Sequence, residues 1–260
     1  MEPIDTFDRP IPFDESFAAT FDPEEATEPV SVISNQEYDV VYVESDTAGA
    51  YVRRYNNTDW TERRYARYRT TYELSVLLGG SAPAHAFGDK WIASRACCAP
   101  DGAHEHDFRT IEMSPDEYIR QLAKHIVLSD IDRTLTNTIT ENGWIYFIDQ
   151  EPISNWDRHE RVSSLISRIE NTYDNISRRS GWSQKHSFRN RLGVELHDIA
   201  TNISTSDTFQ SALDELASRS EVYAETVAYR RTNIDRILAD RVPGIEIGRT
   251  LSESGTWSLL

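Results

Sequence analysis

The sequence predicts an α+β protein of two lobes, a small β-rich lobe followed by a mainly helical one. Three observations predict it. Strand-like apolar runs bounded by turn residues are confined to the chain before Asp149. A strong helix start, Ser114-Pro115-Asp116-Glu117, separates an early group of hairpins from a later one. Beyond Asp149 the apolar spacing is almost wholly helical.

The elements follow in order. Residues 1–35 read as an acidic tail with regular prolines, expected to bury little and to be flexible, although Phe7, Phe13, Phe17 and Phe21 offer apolar anchors. Residues 36–96 read as the β-rich lobe. Asp39–Glu44 and Ala50–Tyr55 alternate as strands around the turn Ser45-Asp-Thr-Ala-Gly49. A helix from about Trp60 to Leu78 carries Tyr65, Tyr68, Tyr72, Leu74 and Leu78 at helical spacing and ends at Gly79-Gly80. Ala84–Phe87 and Lys90–Ser94 form a second hairpin across Gly88-Asp89.

Residues 97–260 read as a hinge and a helical lobe. The stretch from Cys97 to about Phe108 is rich in Pro, Gly, Asp and His, which suits a hinge between lobes. The capped helix after Ser114 presents Ile119, Leu122, Ala123 and Ile126 on one face. Asn142-Gly143 between Thr138–Thr140 and Trp144–Ile148 is a hairpin signal, because both residues tolerate positive φ. Helices are predicted over about 158–178, 187–202, 207–218 and 221–240, with Pro243-Gly244 as a stop.

Composition narrows the class. The chain has 260 residues and a formal net charge of −16. Its lysines are only Lys90, Lys124 and Lys185, so its cations are overwhelmingly arginine. Such a surface suits a salt-rich, halophilic-type cytoplasm, where screened and hydrated carboxylates keep proteins dissolved. It argues against nucleic-acid partners, since phosphate repels it. No apolar stretch reaches membrane-spanning length, and the adjacent Cys97 and Cys98 suit a reduced, cytoplasmic setting. His104 and His106 form a polar loop more simply read as exposed than as metal-binding.

The chemistry-bearing stretch is Asp132-Arg-Thr-Leu-Thr-Asn137, followed by Trp144-Ile-Tyr-Phe-Ile-Asp149. A carboxylate lies five residues before an amide, and a second carboxylate closes a short apolar strand. Taken with the capped helix before it and the Asn-Gly hairpin within it, this stretch resembles the protein-kinase-like superfamily, including its atypical and small-molecule kinase branches. The resemblance covers roughly Tyr38 to Asp149 and, more loosely, the helices after it.

What it implies is a phosphotransferase moving the γ-phosphoryl group of ATP to a hydroxyl acceptor with Mg²⁺. Asp132 would orient the acceptor, and Asn137 and Asp149 would hold the metal. Arg53, on the strand where the family carries its ATP-anchoring lysine, would steady the phosphates. Glu73 on the following helix would hold Arg53, with Glu62 as the other acid there. Gly49 would stand in the loop over the phosphates, a loop with one glycine where the family has several. The acceptor, protein or small molecule, is left open.

Two other readings use the same residues. Ser129-Asp130-Ile-Asp132-Arg-Thr134 also resembles the first motif of haloacid-dehalogenase-type phosphatases, with Asp130 as nucleophile and Asp132 as acid/base. That fold requires the motif at the end of a parallel strand. The third reading is a catalytically weak pseudokinase acting as a binding module, favoured by Arg53 and the poor glycine loop.

Overall fold

The computed structural model describes residues 15–23, 30–34, 38–44, 49–55, 59–96, 108–128, 130, 133–148, 159–182, 187–242, 244–245, 249–251 and 257–259. The first lobe is built on a five-stranded antiparallel sheet: β1 (Val30–Ser34), β2 (Tyr38–Glu44), β3 (Gly49–Tyr55), β4 (His85–Phe87) and β5 (Trp91–Arg95), in the order β1-β2-β3-β5-β4. The register pairs Val41 with Val52 and Val52 with Ala93. One face of the sheet therefore carries Val43, Ala50, Val52, Ala86 and Ala93.

That face is covered by helix α1 (Glu15–Thr20). Phe17 is buried in it, Phe21 stacks on Phe17 with ring centroids 4.8 Å apart, and Phe21 meets Trp91 edge-on. The first 35 residues thus supply α1 and β1 to the lobe. Among the described residues, Phe17 and Phe21 are its anchors.

Helix α2 (Asp59–Leu77) covers the opposite face. Tyr65 and Tyr68 pack with Tyr55, Ile92 and Phe87. The other side of α2, with Leu74 and Leu77, joins the main core of the second lobe, as does Leu78 just after the helix. A helix with two apolar sides shows little amphipathic contrast in sequence, because it is sandwiched between layers.

The second lobe begins with α3 (Pro115–Val127), capped by Ser114, whose hydroxyl accepts the Glu117 amide at 3.1 Å. The hairpin β6 (Thr138–Glu141) and β7 (Trp144–Phe147) follows. Its turn has Asn142 at φ 51° and Gly143 at φ 82°, as an Asn-Gly hairpin requires. Helices α4 (His159–Ser180), α5 (Phe188–Thr205), α6 (Asp207–Ser218) and α7 (Glu221–Leu238) complete the lobe. A last hairpin, β8 (Arg249–Leu251) with β9 (Trp257–Leu259), was not expected from the sequence pattern.

The residues at the hinge position, 97–107, lie outside those described; contacts among the described residues join the lobes. The segment after α2 meets the second hairpin: the Phe147 amide donates to the Ser81 carbonyl at 2.9 Å, and the Ser81 hydroxyl donates to the Ile145 carbonyl. Buried Lys124 donates to the Gly79 carbonyl at 3.1 Å. Arg95, at the end of β5, pairs with Glu141 of β6.

Candidate functional site

The loop between α3 and β6 is held from beneath by a buried polar group. Arg133 is fully buried, and its guanidinium spans two anchors. Nη1 donates to the Ile148 carbonyl at 2.7 Å, and Nη2 pairs with the Asp130 carboxylate. The other Asp130 oxygen accepts from His125 Nδ1 at 3.2 Å. His125 stands edge-on to Phe147. Burial is the largest influence on His125 and holds it below the usual imidazole range; Arg133 and Lys124 add to this, and Asp130 opposes it. His125 is therefore a neutral donor to an ionic Asp130–Arg133 pair.

A second bond closes the loop. Leu135–Asn137 forms a single 3₁₀ turn, with the Asn137 amide donating to the Thr134 carbonyl at 3.0 Å. The Ile148 amide donates to the Asn137 carbonyl, also at 3.0 Å. Ile148 is thus gripped on both sides, by Arg133 through its carbonyl and by Asn137 through its amide. Asn137 is half-buried at this junction. Asp132 and Asp149 lie outside the described residues; their chain neighbours Arg133 and Ile148 are the two residues hydrogen bonded to each other.

On the first lobe, Arg53 lies mid-strand in β3, paired across the ladder with Val40 and Ile92. It is half-exposed on the face turned to α2, with its guanidinium carbon 5.4 Å from the centre of the Tyr68 ring. The expected Arg53–Glu73 pair is not formed. Glu73 accepts from Arg69 Nε at 2.7 Å, one helical turn earlier, and from Arg219 at 2.9 Å. The reason is helical phase: Glu73 projects toward the junction of α6 and α7, where Ala212, Glu215, Leu216 and Arg219 surround it, whereas the sheet-facing positions of α2 are Tyr65, Tyr68 and Tyr72. Glu62 is exposed. Gly49 opens β3, and a Cβ there would meet the outer end of the Tyr42 ring and its hydroxyl, so Tyr42 would have to shift.

The phosphatase arrangement is corrected by these observations. Every described strand pairing is antiparallel, so no parallel strand ends at this motif. Asp130 follows a helix, is completely buried and is charge-paired, so no phosphate can reach it for nucleophilic attack.

Sequence reasoning missed Tyr68 as a neighbour of Arg53, and the burial of Arg133. A tyrosine stripe facing a strand arginine was the available signal for the first. Arg133 carried none, because arginine beside a loop carboxylate reads as solvent-exposed. Among the described residues no group of three or more His, Cys, Asp or Glu is assembled for a metal ion, and no helix is long and apolar enough to cross a membrane.

No family model and no curated protein matches the chain. Solved structures to which it is similar include the Helicobacter pylori proinflammatory kinase CtkA, with 10% identity and a TM-score of 0.41 over 81% of this chain and 93% of that one. They include the choline kinase LicA from Streptococcus pneumoniae, with 14% identity and a TM-score of 0.36 over 86% and 96%. A thermostable mutant of the aminoglycoside phosphotransferase APH(4)-Ia shows 12% identity and a TM-score of 0.33 over 82% and 94%. The chain itself is an α+β protein with a small antiparallel sheet ahead of a mainly helical lobe, and these three similar structures are kinases and a phosphotransferase.

Proposed function

We propose that this chain is a phosphotransferase that moves the γ-phosphoryl group of ATP to a hydroxyl acceptor. The observation that carries the reading is the double grip on Ile148, by Arg133 at 2.7 Å and by Asn137 at 3.0 Å. It ties the neighbour of Asp132, the neighbour of Asp149, and Asn137 into one rigid junction. Phosphoryl transfer asks for such positioning more than for a protein nucleophile.

In this reading the acceptor oxygen bonds to the γ-phosphorus as the bond from that phosphorus to the β–γ bridging oxygen breaks, and ADP leaves. The hydroxyl proton passes to the Asp132 carboxylate late in the step. Asn137 and Asp149 present hard oxygens, one neutral and one anionic, the donor type that Mg²⁺ takes. When bound, Mg²⁺ neutralises charge on the β- and γ-phosphates. Arg53 contributes a fixed cation from the sheet. The acidic, lysine-poor composition suits action in a salt-rich cytoplasm.

The test is turnover with ATP and Mg²⁺, followed as ADP release at high salt with a panel of hydroxyl acceptors. Asp149→Ala is expected to keep its melting transition and to lose metal-dependent turnover. Wild-type rates in that variant would reject the assignment. A magnesium- and ATP-dependent rise in melting temperature without turnover in the native chain would favour the binding-module reading, for which Arg53 in place of lysine is the motivating feature.

A further inference from the structure

We propose that Tyr68, rather than Glu73, positions Arg53 for the phosphates of the nucleotide. The inference rests on the phosphotransferase reading above and names a residue for that same site. The Arg53 guanidinium lies 5.4 Å from the Tyr68 ring centre, within the range of a cation–π contact. Arginine suits this contact because its planar, weakly hydrated cation stacks on aromatic faces, which an ammonium does less well. An arginine at the lysine position and a tyrosine on the facing helix therefore form one matched pair.

The ring is itself immobilised. Tyr68 is buried, and its hydroxyl meets His85 Nε2 at 3.1 Å. His85 Nδ1 lies 2.6 Å from the Pro83 carbonyl, and its amide donates to the Tyr72 hydroxyl at 2.9 Å. Because a carbonyl only accepts, Nδ1 carries the proton, so Nε2 accepts from the Tyr68 hydroxyl. Burial keeps the imidazole neutral by pushing it down to about 4, with the nearby Arg53 charge acting in the same direction. The chain Pro83–His85–Tyr68 thus fixes the plane on which the guanidinium rests. Glu73 is withdrawn from Arg53 by Arg69 and Arg219.

The consequence is specific for phosphate. Removing the ring face should loosen Arg53 and weaken ligands bearing a polyphosphate, leaving the nucleoside part unaffected. The experiment is calorimetric titration of ATP and of adenosine into the full chain, native and substituted. Tyr68→Leu is expected to weaken ATP about tenfold, the weight of one partly desolvated cation–π contact, with adenosine unchanged. Tyr68→Phe, which keeps the ring, should restore most of the ATP affinity. Glu73→Gln tests the carboxylate alternative: an ATP loss as large as that of Tyr68→Leu would overturn the proposal. Equal ATP affinity in native and Tyr68→Leu chains would overturn it too. If the native chain binds no ATP at all, the phosphotransferase reading falls with it, so the two failures are distinguishable.

Discussion

Arg133 and His85 show what single residues contribute here. Arg133 is a fully buried cation whose charge is met by Asp130, with His125 supplying a further hydrogen bond to that carboxylate. Such a pair contributes little net stability over an apolar substitute, but breaking it leaves one charge buried and uncompensated. Its value lies in direction, since the guanidinium that pairs with Asp130 also holds Ile148. His85 has a measurable signature. Its folded pKa is lowered from 6.5 to about 4 by burial, while the unfolded imidazole takes a proton near 6.5. The unfolded chain therefore binds more protons between those values, so the contribution of His85 is complete above pH 6.5 and is lost as pH falls toward 4. The expected loss is roughly 3 kcal/mol, read as the difference in pH dependence between native and His85→Gln chains in urea denaturation. Identical pH profiles for the two would show that His85 titrates normally.

At the scale of elements, local signals and local structure agree where the interaction is short-range. Ser114 caps α3 through the Glu117 amide, as its spacing predicts. Asn142-Gly143 turns the second hairpin with both residues at positive φ. The Gly143 carbonyl also accepts the Glu112 amide at 2.8 Å, and a Cβ on Gly143 would press on the Glu112 side chain. Gly143→Ala is therefore expected to cost about 1–3 kcal/mol, through an unfavourable φ and this close approach. A denaturation midpoint within error of the native chain would show that the turn relaxes freely. Helix α2 was legible as a helix but not in its partners. Its tyrosine stripe faces the sheet as core, while Glu73 lies on a different face and meets α6 and α7. Sequence spacing sets which residues share a face, yet it does not say which neighbour each face receives.

For the whole molecule, the helix between two layers governs how the lobes sit. Among the described residues, polar contacts tie α2 to α7 and the end of α6: Arg63 to Glu225 at 3.4 Å, Arg230 to Thr71 at 2.7 Å, and Arg219 to Glu73 at 2.9 Å. Arg230 is buried beside Thr71, and desolvation lowers its pKa to about 10. Around this interior the chain carries a net charge of −16, which repels itself. Raising ionic strength from about 0.1 M to about 1 M shortens the screening length from roughly 10 to 3 Å. The melting temperature should rise over that range in calorimetry. A fall would mean that the exposed ion pairs outweigh the self-repulsion.

The sequence by itself determined the order of the main elements from β2 to α7, the cap and turn chemistry, the α+β class and the acidic character, because these follow from contacts within a few residues or from composition. It also singled out Asn137, which the structure bonds to Ile148. Tertiary structure alone decided that Phe17 anchors the acidic N-terminal segment, that Glu73 turns to Arg219, that Tyr68 underlies Arg53, and that Arg133 is buried under the loop. Each of these depends on which distant surface arrives opposite a given side chain. Charged residues have many acceptable partners, and the one they take is set by packing of the layers around them.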